Sequence, residues 1–432
     1  MIYLYQWLLT CLLILGLPLV PVSMAVSEKR RHGLLHRLGL FSFLNLPPCA
    51  PGKRRIWVHA LSVGEVRSAQ PLMDALVGED NVEVVFTAST MSGLATAREL
   101  YLDIDAPRTL GVGYFPFDIW WAVSAAFQRI APHDICLIET DLWPWFLKRA
   151  AAKNIRVSLV NARMSQRSLT GYLRLKALGR FFFGHLSQVL VQTRLDGERF
   201  QAVGVPSSRI QVTGNMKFDQ KIPKLDDSAR QDLEGELGIE PGQTVCLAGS
   251  THAGEEEMIF SAWKSATPHL SRPKLILAPR DINRTGEILA LAEKSGLSVA
   301  CHSRIQSGQD SGDTDLTLID GFGILARAYA LCDLAFIGGS LVPSGGHNPL
   351  EAAMLGKPVL FGPHMTDFLE PAELLTRGGG ARMVADAGEL AKEMIEILTH
   401  EDLGCTMGQQ GAEIYQTNQG AVARTVERIV HA

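Results

Sequence analysis

The stretch Gly338 to Pro363, GGSLVPSGGHNPLEAAMLGKPVLFGP, decides how this chain is read. Before it, Leu334-Ala335-Phe336-Ile337 is an apolar run that ends in two glycines, as a buried strand entering a loop does. Ser344, Gly345 and Gly346 are small enough to let backbone come close to a ligand. Asn348-Pro349-Leu350-Glu351 has the form of a helix start, with Asn as N-cap, Pro at N1 and Glu at N3. Ala352 to Leu355 continue the helix, Gly356 ends it, and Pro358 to Phe361 open the next strand. A strand, a glycine-rich loop and a helix N-terminus in that order predict an anion site made of bare N–H groups and the helix dipole. As a capping box, Asn348 and Glu351 need no ligand. As a ligand site, the Glu351 carboxylate accepts hydrogen bonds from ribose hydroxyls. Spacing leaves both readings open.

Working outward, strand-like runs alternate with helical spacing along the whole body. Ile56 to Ala60, Val82 to Thr87, Ile135 to Ile138, Val157 to Val160 and Val189 to Val191 read as strands in the first half. Val245 to Ala248, Leu275 to Ala278, Leu316 to Ile319 and Leu334 to Ile337 follow in the second. Such βα alternation predicts α/β domains with parallel, doubly wound sheets and ligands at the strand carboxyl ends. Asp219 to Gly242, rich in Lys, Asp, Glu, Pro and Gly, suits a crossing between domains. The expected division is 1–27 as an anchor helix, 28–218 as one Rossmann-like domain and 219–242 as a linker. Residues 243–405 then form a second Rossmann-like domain facing the first across a cleft, with 406–432 as a helical tail.

At 432 residues the chain is too long for one ordinary core. Its 47% hydrophobic and 20% charged residues are those of a packed globular protein. A net charge of −4 argues against a generic nucleic-acid binder. Cysteines 11, 49, 136, 246, 301, 332 and 405 form no CxxC pair and read as free thiols of a reducing compartment. Ile2 to Val26 carries no charge and is long enough to span a bilayer. Its positive residues, Lys29, Arg30, Arg31 and Arg37, follow the apolar run, unlike those of a cleaved signal peptide. The positive-inside rule then leaves the body cytoplasmic behind one retained anchor in the plasma membrane. Leu34 to Phe41 reads either as a segment on an anionic membrane surface or as an amphipathic core helix.

Several polar residues stand at strand ends. Glu65 follows the first strand and a glycine, where a carboxylate can be a general base or simply a dipole-stabilised first-turn acid. Glu139 and Asp141 directly follow another strand, and Trp143 and Trp145 line a pocket or pack in the core. Arg163, Lys217 and Arg280 each put a cation beyond a strand, as anion contacts or as surface and salt-bridge groups. No GxGxxG follows the first strand, Gly356-Lys357 lacks a phosphate-loop context, and no GxSxG, HExxH or metal-type carboxylate cluster occurs.

Six blocks recur in order: HALSVGE (59–65), ETDLWP (139–144), NAR (161–163), GNMKFD (214–219), GSTHAGE (249–255) and GGHNPLE (345–351). In these blocks the chain resembles the 3-deoxy-D-manno-octulosonic acid (Kdo) transferases of lipopolysaccharide core assembly, from the N-terminus to near the C-terminus. The resemblance implies a GT-B glycosyltransferase that moves Kdo from CMP-Kdo to a lipid A precursor, inverting the anomeric centre, with no metal and no cofactor. It implies Glu65 as general base, with Glu139 and Lys217 by the reacting centre. It implies CMP contacts from Pro279, Arg280, Phe322, Gly323, Ile324, Asn348, Pro349, Leu350 and Glu351. The family's His after the Pro-Arg pair is Asp281 here. A lipid acceptor accounts for an inner-membrane anchor, and Lys29 to Arg31 and Lys53 to Arg55 are expected to attract its phosphates. The rival expectations are a GT-B enzyme of another nucleotide sugar, an epimerase of that fold, and a non-catalytic membrane nucleotide sensor.

Overall fold

A computed structural model describes residues 2–16, 28–39, 46–102, 109–139, 142–174, 181–222 and 225–431. The chain divides into two compact units, residues 1–220 with 419–432, and residues 221–418. Each is an α/β unit on a seven-stranded sheet in which every pairing is parallel.

The first sheet contains β1 (Arg54–Ala60), β2 (Val82–Ala88), β3 (Gly111–Tyr114), β4 (Asp134–Ile138), β5 (Arg156–Ala162), β6 (Gln188–Val191) and β7 (Ile210–Val212), in the order β3-β2-β1-β4-β5-β6-β7. Its inner strands are apolar on both faces because helices cover both. On one side Val58, Phe86 and Ile138 pack under the helices Val63–Val77 and Met91–Tyr101. On the other, Trp57 lies among Phe115, Phe127 and Phe146, and its Nε1 donates to Thr87 Oγ1 at 2.8 Å.

The second sheet contains β8 (Thr244–Thr251), β9 (Pro273–Pro279), β10 (Val299–Cys301), β11 (Leu316–Leu318), β12 (Leu334–Ile337), β13 (Val359–Phe361) and β14 (Ala381–Met383), in the order β10-β11-β9-β8-β12-β13-β14. Trp263, Phe260 and Met394 fill the core on one of its faces. Cys136, Cys246, Cys301 and Cys332 are buried free thiols.

The expected tail over 406–432 is divided between the units. Helix Glu401–Thr417 belongs to the second, whereas helix Ala421–Val430 packs on the first. Asp219 caps its start, accepting from Gly420 N at 2.6 Å and Val422 N at 2.7 Å. At its other end Arg54 and Arg156 donate to the terminal carbonyls of Val430 and Ile429, where cations suit the helix dipole. Both arginines also hold the buried Asp134. Arg55 is buried too, paired with Glu83 at 2.9 Å and donating to the Ile130 and Pro47 carbonyls. Arg55 is therefore an internal tie, while Arg54, with its side chain 36% exposed, is tied at one end and still reaches solvent. Arg37 is likewise tied inward, over the Phe117 ring and donating to Phe115 O and Ser89 O.

The spanning anchor is not supported by the described residues. The first helix covers Ile2–Gly16, 15 residues, or about 22 Å at 1.5 Å per residue, against roughly 30 Å of hydrocarbon. Among the described residues no helix is long and apolar enough to cross a membrane. The remainder of the apolar stretch, with Pro18 and Pro21, lies outside the described residues. The helix docks on the first unit: Tyr5 donates to Asp118 Oδ2 at 3.0 Å, and Gln6 exchanges hydrogen bonds with Asp118 O and Trp120 N. Lys148 sits 3.6 Å from the Tyr3 ring centroid. Leu4, Trp7, Leu8, Leu12 and Leu15 remain exposed, as does Trp120 of the body.

Asp118 makes this docking pH-dependent. Burial pushes its carboxyl up to about 7, against hydrogen bonds from Trp145 N, Phe146 N and Tyr5 that favour the charged form. A carboxyl raised on folding stabilises the folded state at low pH, and that contribution is lost as pH rises from about 4 through about 7. The unfolding midpoint of Asp118→Asn should therefore vary less between pH 5 and 8 than that of the parent. Parallel pH profiles by scanning fluorimetry would remove Asp118 from this account.

Candidate active site at the two switch points

In a doubly wound sheet the ligand crevice opens where neighbouring crossovers leave in opposite directions, outside the strand carboxyl ends. That point lies between β1 and β4 in the first sheet and between β8 and β12 in the second. Glu65 follows β1 and Glu139 follows β4. His252 follows β8, and the loop from Gly338 follows β12.

Glu65 sits in the first turn of helix Val63–Val77. Ser62 Oγ caps that turn by accepting from Glu65 N, while Glu65 Oε2 accepts from Leu61 N at 2.6 Å. The carboxylate is half-buried, held by backbone and close to solvent. Glu139 is in the left-handed region at φ 61°, its N–H bonded to Val160 O. Asn161, the penultimate residue of β5, is left-handed as well, at φ 53°. Such backbone is costly for residues other than glycine and persists where surrounding contacts impose it. For Asn161 those contacts are visible. Its side chain donates to Ser68 Oγ and accepts from Met216 N at 3.1 Å, so it pins the Met216–Asp219 turn to the sheet. Lys217 rides on that turn, its N–H capped by Asn215. His59, in the first block, is a core residue, stacked 3.8 Å from Phe115 and bonded to Thr87. Trp143 and Trp145 are half-buried, Trp145 against Tyr3 and Trp143 beside Phe115. Thr140 and Asp141 lie outside the described residues.

In the second unit the glycine-rich loop departs from the expected bare anion cradle. Glu255, fully buried, accepts from His252 N (2.9 Å), Gly339 N (2.6 Å), Ser340 N (2.8 Å) and Leu341 N (2.8 Å). Three of the loop's N–H groups already have an acceptor, and it belongs to the protein. Loop glycines also serve backbone packing: a Cβ on Gly338 would lie 2.5 Å from Ser250 O. Neighbouring Glu256, equally buried, accepts from Thr251 Oγ1 and pairs with Arg284 at 2.8 Å. The helix after the loop is only Leu350–Ala353, too short for much of a dipole. Its N-cap is Pro349 rather than the expected Asn348, which stands one residue before the helix, accepting from Leu350 N through Oδ1 and donating from Nδ2 to Glu351 Oε1 at 3.3 Å. Those two residues therefore face each other, with Tyr329 beside Glu351.

Arg280, just past β9, is exposed, and among the described residues no carboxylate pairs with it, so the expected salt-bridge alternative is absent. Pro279 before it ends β9 and is buried. Asp281 caps the next turn through Asn283 N and Nδ2. Phe322 is 75% exposed. Gly323 follows it at φ +85°, a conformation that glycine adopts without strain. Ile324 is half-buried. Among the described residues no three His, Cys, Asp or Glu side chains converge on a metal position.

Sequence reasoning missed Glu255, Glu256, Asn161 as a tie, and the Asp219 cap. The acidic triplet Glu255-Glu256-Glu257 in one first turn was a visible signal for the first two. No local signal pointed to the partners, which are distant in the chain.

The family model of 3-deoxy-D-manno-octulosonic-acid transferase (kdotransferase) matches residues 32–220. A 3-deoxy-D-manno-octulosonic acid transferase of Bordetella pertussis is 32% identical, with 88% of each chain covered. One from Haemophilus influenzae is 28% identical over 98% of this chain and 97% of its own. Among solved structures, UDP-GlcNAc 2-epimerase from Neisseria meningitidis bound to UDP-GlcNAc superposes with TM-score 0.59 at 15% identity, over 88% of this chain and 100% of the other. At that identity the likeness speaks for the two-sheet fold alone.

Proposed function

Because the chain belongs to the 3-deoxy-D-manno-octulosonic acid transferase family, we propose that it transfers Kdo from CMP-Kdo to a lipid A precursor of the lipid IV-A type, with inversion and without a metal. Glu65 takes the proton from the attacking acceptor hydroxyl, while Glu139 and Lys217 stabilise charge at the reacting centre. The nucleotide is held by Arg280 with Pro279, by the turn Phe322-Gly323-Ile324, and by Asn348 to Glu351. In this role the exposed Arg280 fork meets the phosphate and the Asn348–Glu351 pair meets the ribose. The observation that supports the reading is that Glu65 and Glu139 follow β1 and β4 at the first sheet's switch point and the Gly338–Glu351 loop follows β12 at the second's, with Arg280 after the neighbouring β9.

The N-terminal helix supports a membrane-bound acceptor in a different way from the one its sequence suggested. Its exposed Leu4, Trp7, Leu8, Leu12 and Leu15 lie along a helix fixed to the body, suited to the interface of the inner membrane at its cytoplasmic face. The decisive test is incubation with CMP-Kdo and lipid IV-A followed by mass spectrometry. A product heavier by one or more Kdo residues is expected, and unchanged acceptor with unspent donor would overturn the reading. For Arg280→Ala, calorimetry should show CMP affinity reduced about tenfold to a hundredfold, the loss of one charge-assisted contact of roughly 1.5–3 kcal/mol. An unaltered affinity removes Arg280 from the site.

A further inference from the structure

His252 and His347 face each other at the second switch point, Nε2 to Nε2 at 2.9 Å, with ring planes 21° apart. They come from the loops after β8 and β12, the two strands that flank the crevice. Both rings lie over Gly339, where a Cβ would come within 3.1 Å of His347 Cδ2 and 3.3 Å of His252 Cδ2. The arrangement is held from below, since Glu255 accepts from both His252 N and Gly339 N.

A bond between two imidazole Nε2 atoms requires one proton between them, donated by one ring and accepted by the other. One further proton can go to the free Nδ1 of the donating ring, which makes the bridge charge-assisted. A second added proton, the fourth on the pair, would set two N–H donors against each other and break the contact. The pair therefore has two compatible states, neutral and singly charged. Its surroundings hold the neutral one: burial, His252 and the Arg280 guanidinium together depress His347 to about 4. The other charged or titratable groups nearby are Glu255, already saturated by backbone N–H groups, Glu351, and His364 and Asp367 on the loop behind Gly345 and Gly346. A phosphate beside Arg280 would cancel the repulsion from that cation and add attraction for a proton.

We propose that His252 and His347 are a proton-sharing pair that takes up one proton when a nucleotide phosphate binds beside Arg280, so that the site gains a second positive charge only with the anion present. This rests on the reading of the second unit as the nucleotide site. The pair would favour a phosphate ester over neutral nucleoside, and would hold the leaving phosphate as its charge grows during transfer. No group is consumed; the proton comes from solvent on binding and returns to it on release.

The test is calorimetric titration of the full chain with the 5′-phosphate methyl ester of cytidine, a monoanion with no group titrating near neutrality. Titrations at pH 6.5 in buffers of different ionisation heat give the number of protons taken up. About half a proton or more is expected for the parent chain, with affinity rising up to tenfold per unit fall in pH between 8 and 6. His347→Gln and His252→Gln, checked for unchanged unfolding temperature, should bind with buffer-independent heats and a flat pH profile. Binding by the parent chain without proton uptake overturns the pair and leaves the nucleotide site standing. No binding of the ester or of CMP in any buffer overturns both.

Discussion

Glu65→Gln should reduce transfer of Kdo by about a hundredfold to ten-thousandfold, the range that general-base catalysis supplies, while CMP affinity and unfolding temperature stay close to those of the parent. Gln is the informative substitution because Glu65 has a second task. Its Oε2 accepts from Leu61 N and its own N–H is capped by Ser62 Oγ, so the residue helps to start helix Val63–Val77. The amide of Gln keeps an oxygen for Leu61 N and removes only the basic carboxylate. Ser62→Ala is the matching control. It removes the cap at about 1 kcal/mol and should lower stability more than it lowers turnover. Product counting under initial-rate conditions separates the two, and a Glu65→Gln enzyme with parental turnover would discard the base assignment.

Glu255→Ala should strongly destabilise the second unit. It leaves four backbone N–H groups, those of His252, Gly339, Ser340 and Leu341, without their acceptor. Each buried donor left unmade costs about 1–3 kcal/mol, so the loss should be on the order of 4 kcal/mol or more. Water entering the emptied space would recover part of it. A fall of this size should appear in denaturant or thermal unfolding of the full chain. Glu255→Gln retains one acceptor oxygen and should fall between parent and Ala, with CMP affinity reduced because the loop under His252 and His347 is no longer fixed. Wild-type unfolding of Glu255→Ala would mean that the loop holds its shape unaided.

The strands legible in the sequence were those at the interior of each sheet. Val58, Leu137, Leu247 and Phe336 belong to runs apolar on both faces, because helices cover both sides of a parallel sheet. The four strands that left no readable signal are β3, β7, β10 and β14, the two edges of each sheet. Gly111-Val112-Gly113-Tyr114 is half glycine, Ile210-Gln211-Val212 is partly exposed, and Ala381-Arg382-Met383 has a charged centre and an exposed methionine. An edge strand needs less apolar sequence, so its pattern resembles that of a loop. In the N-terminal stretch the docking of the first helix was hidden for a related reason. Hydropathy counts apolar residues without knowing that Tyr5 and Gln6 would bond to Asp118 and lay the helix along the body.

What this sequence determined alone was local: which runs are buried, where caps and glycines must fall, and which ordered blocks carry the family likeness. These rest on neighbours a few residues apart, so they survive without knowledge of the fold. Only the tertiary structure decided what the Gly338–Pro363 stretch holds. The partner of its N–H groups is Glu255, some 84–86 residues earlier, and the imidazole facing His347 is His252, 95 residues earlier. Asp219 and Gly420, 201 residues apart, are joined in the same way. Long-range contacts of this kind leave no periodicity in the chain, because a carboxylate satisfied by distant backbone looks in sequence like any acid in the first turn of a helix.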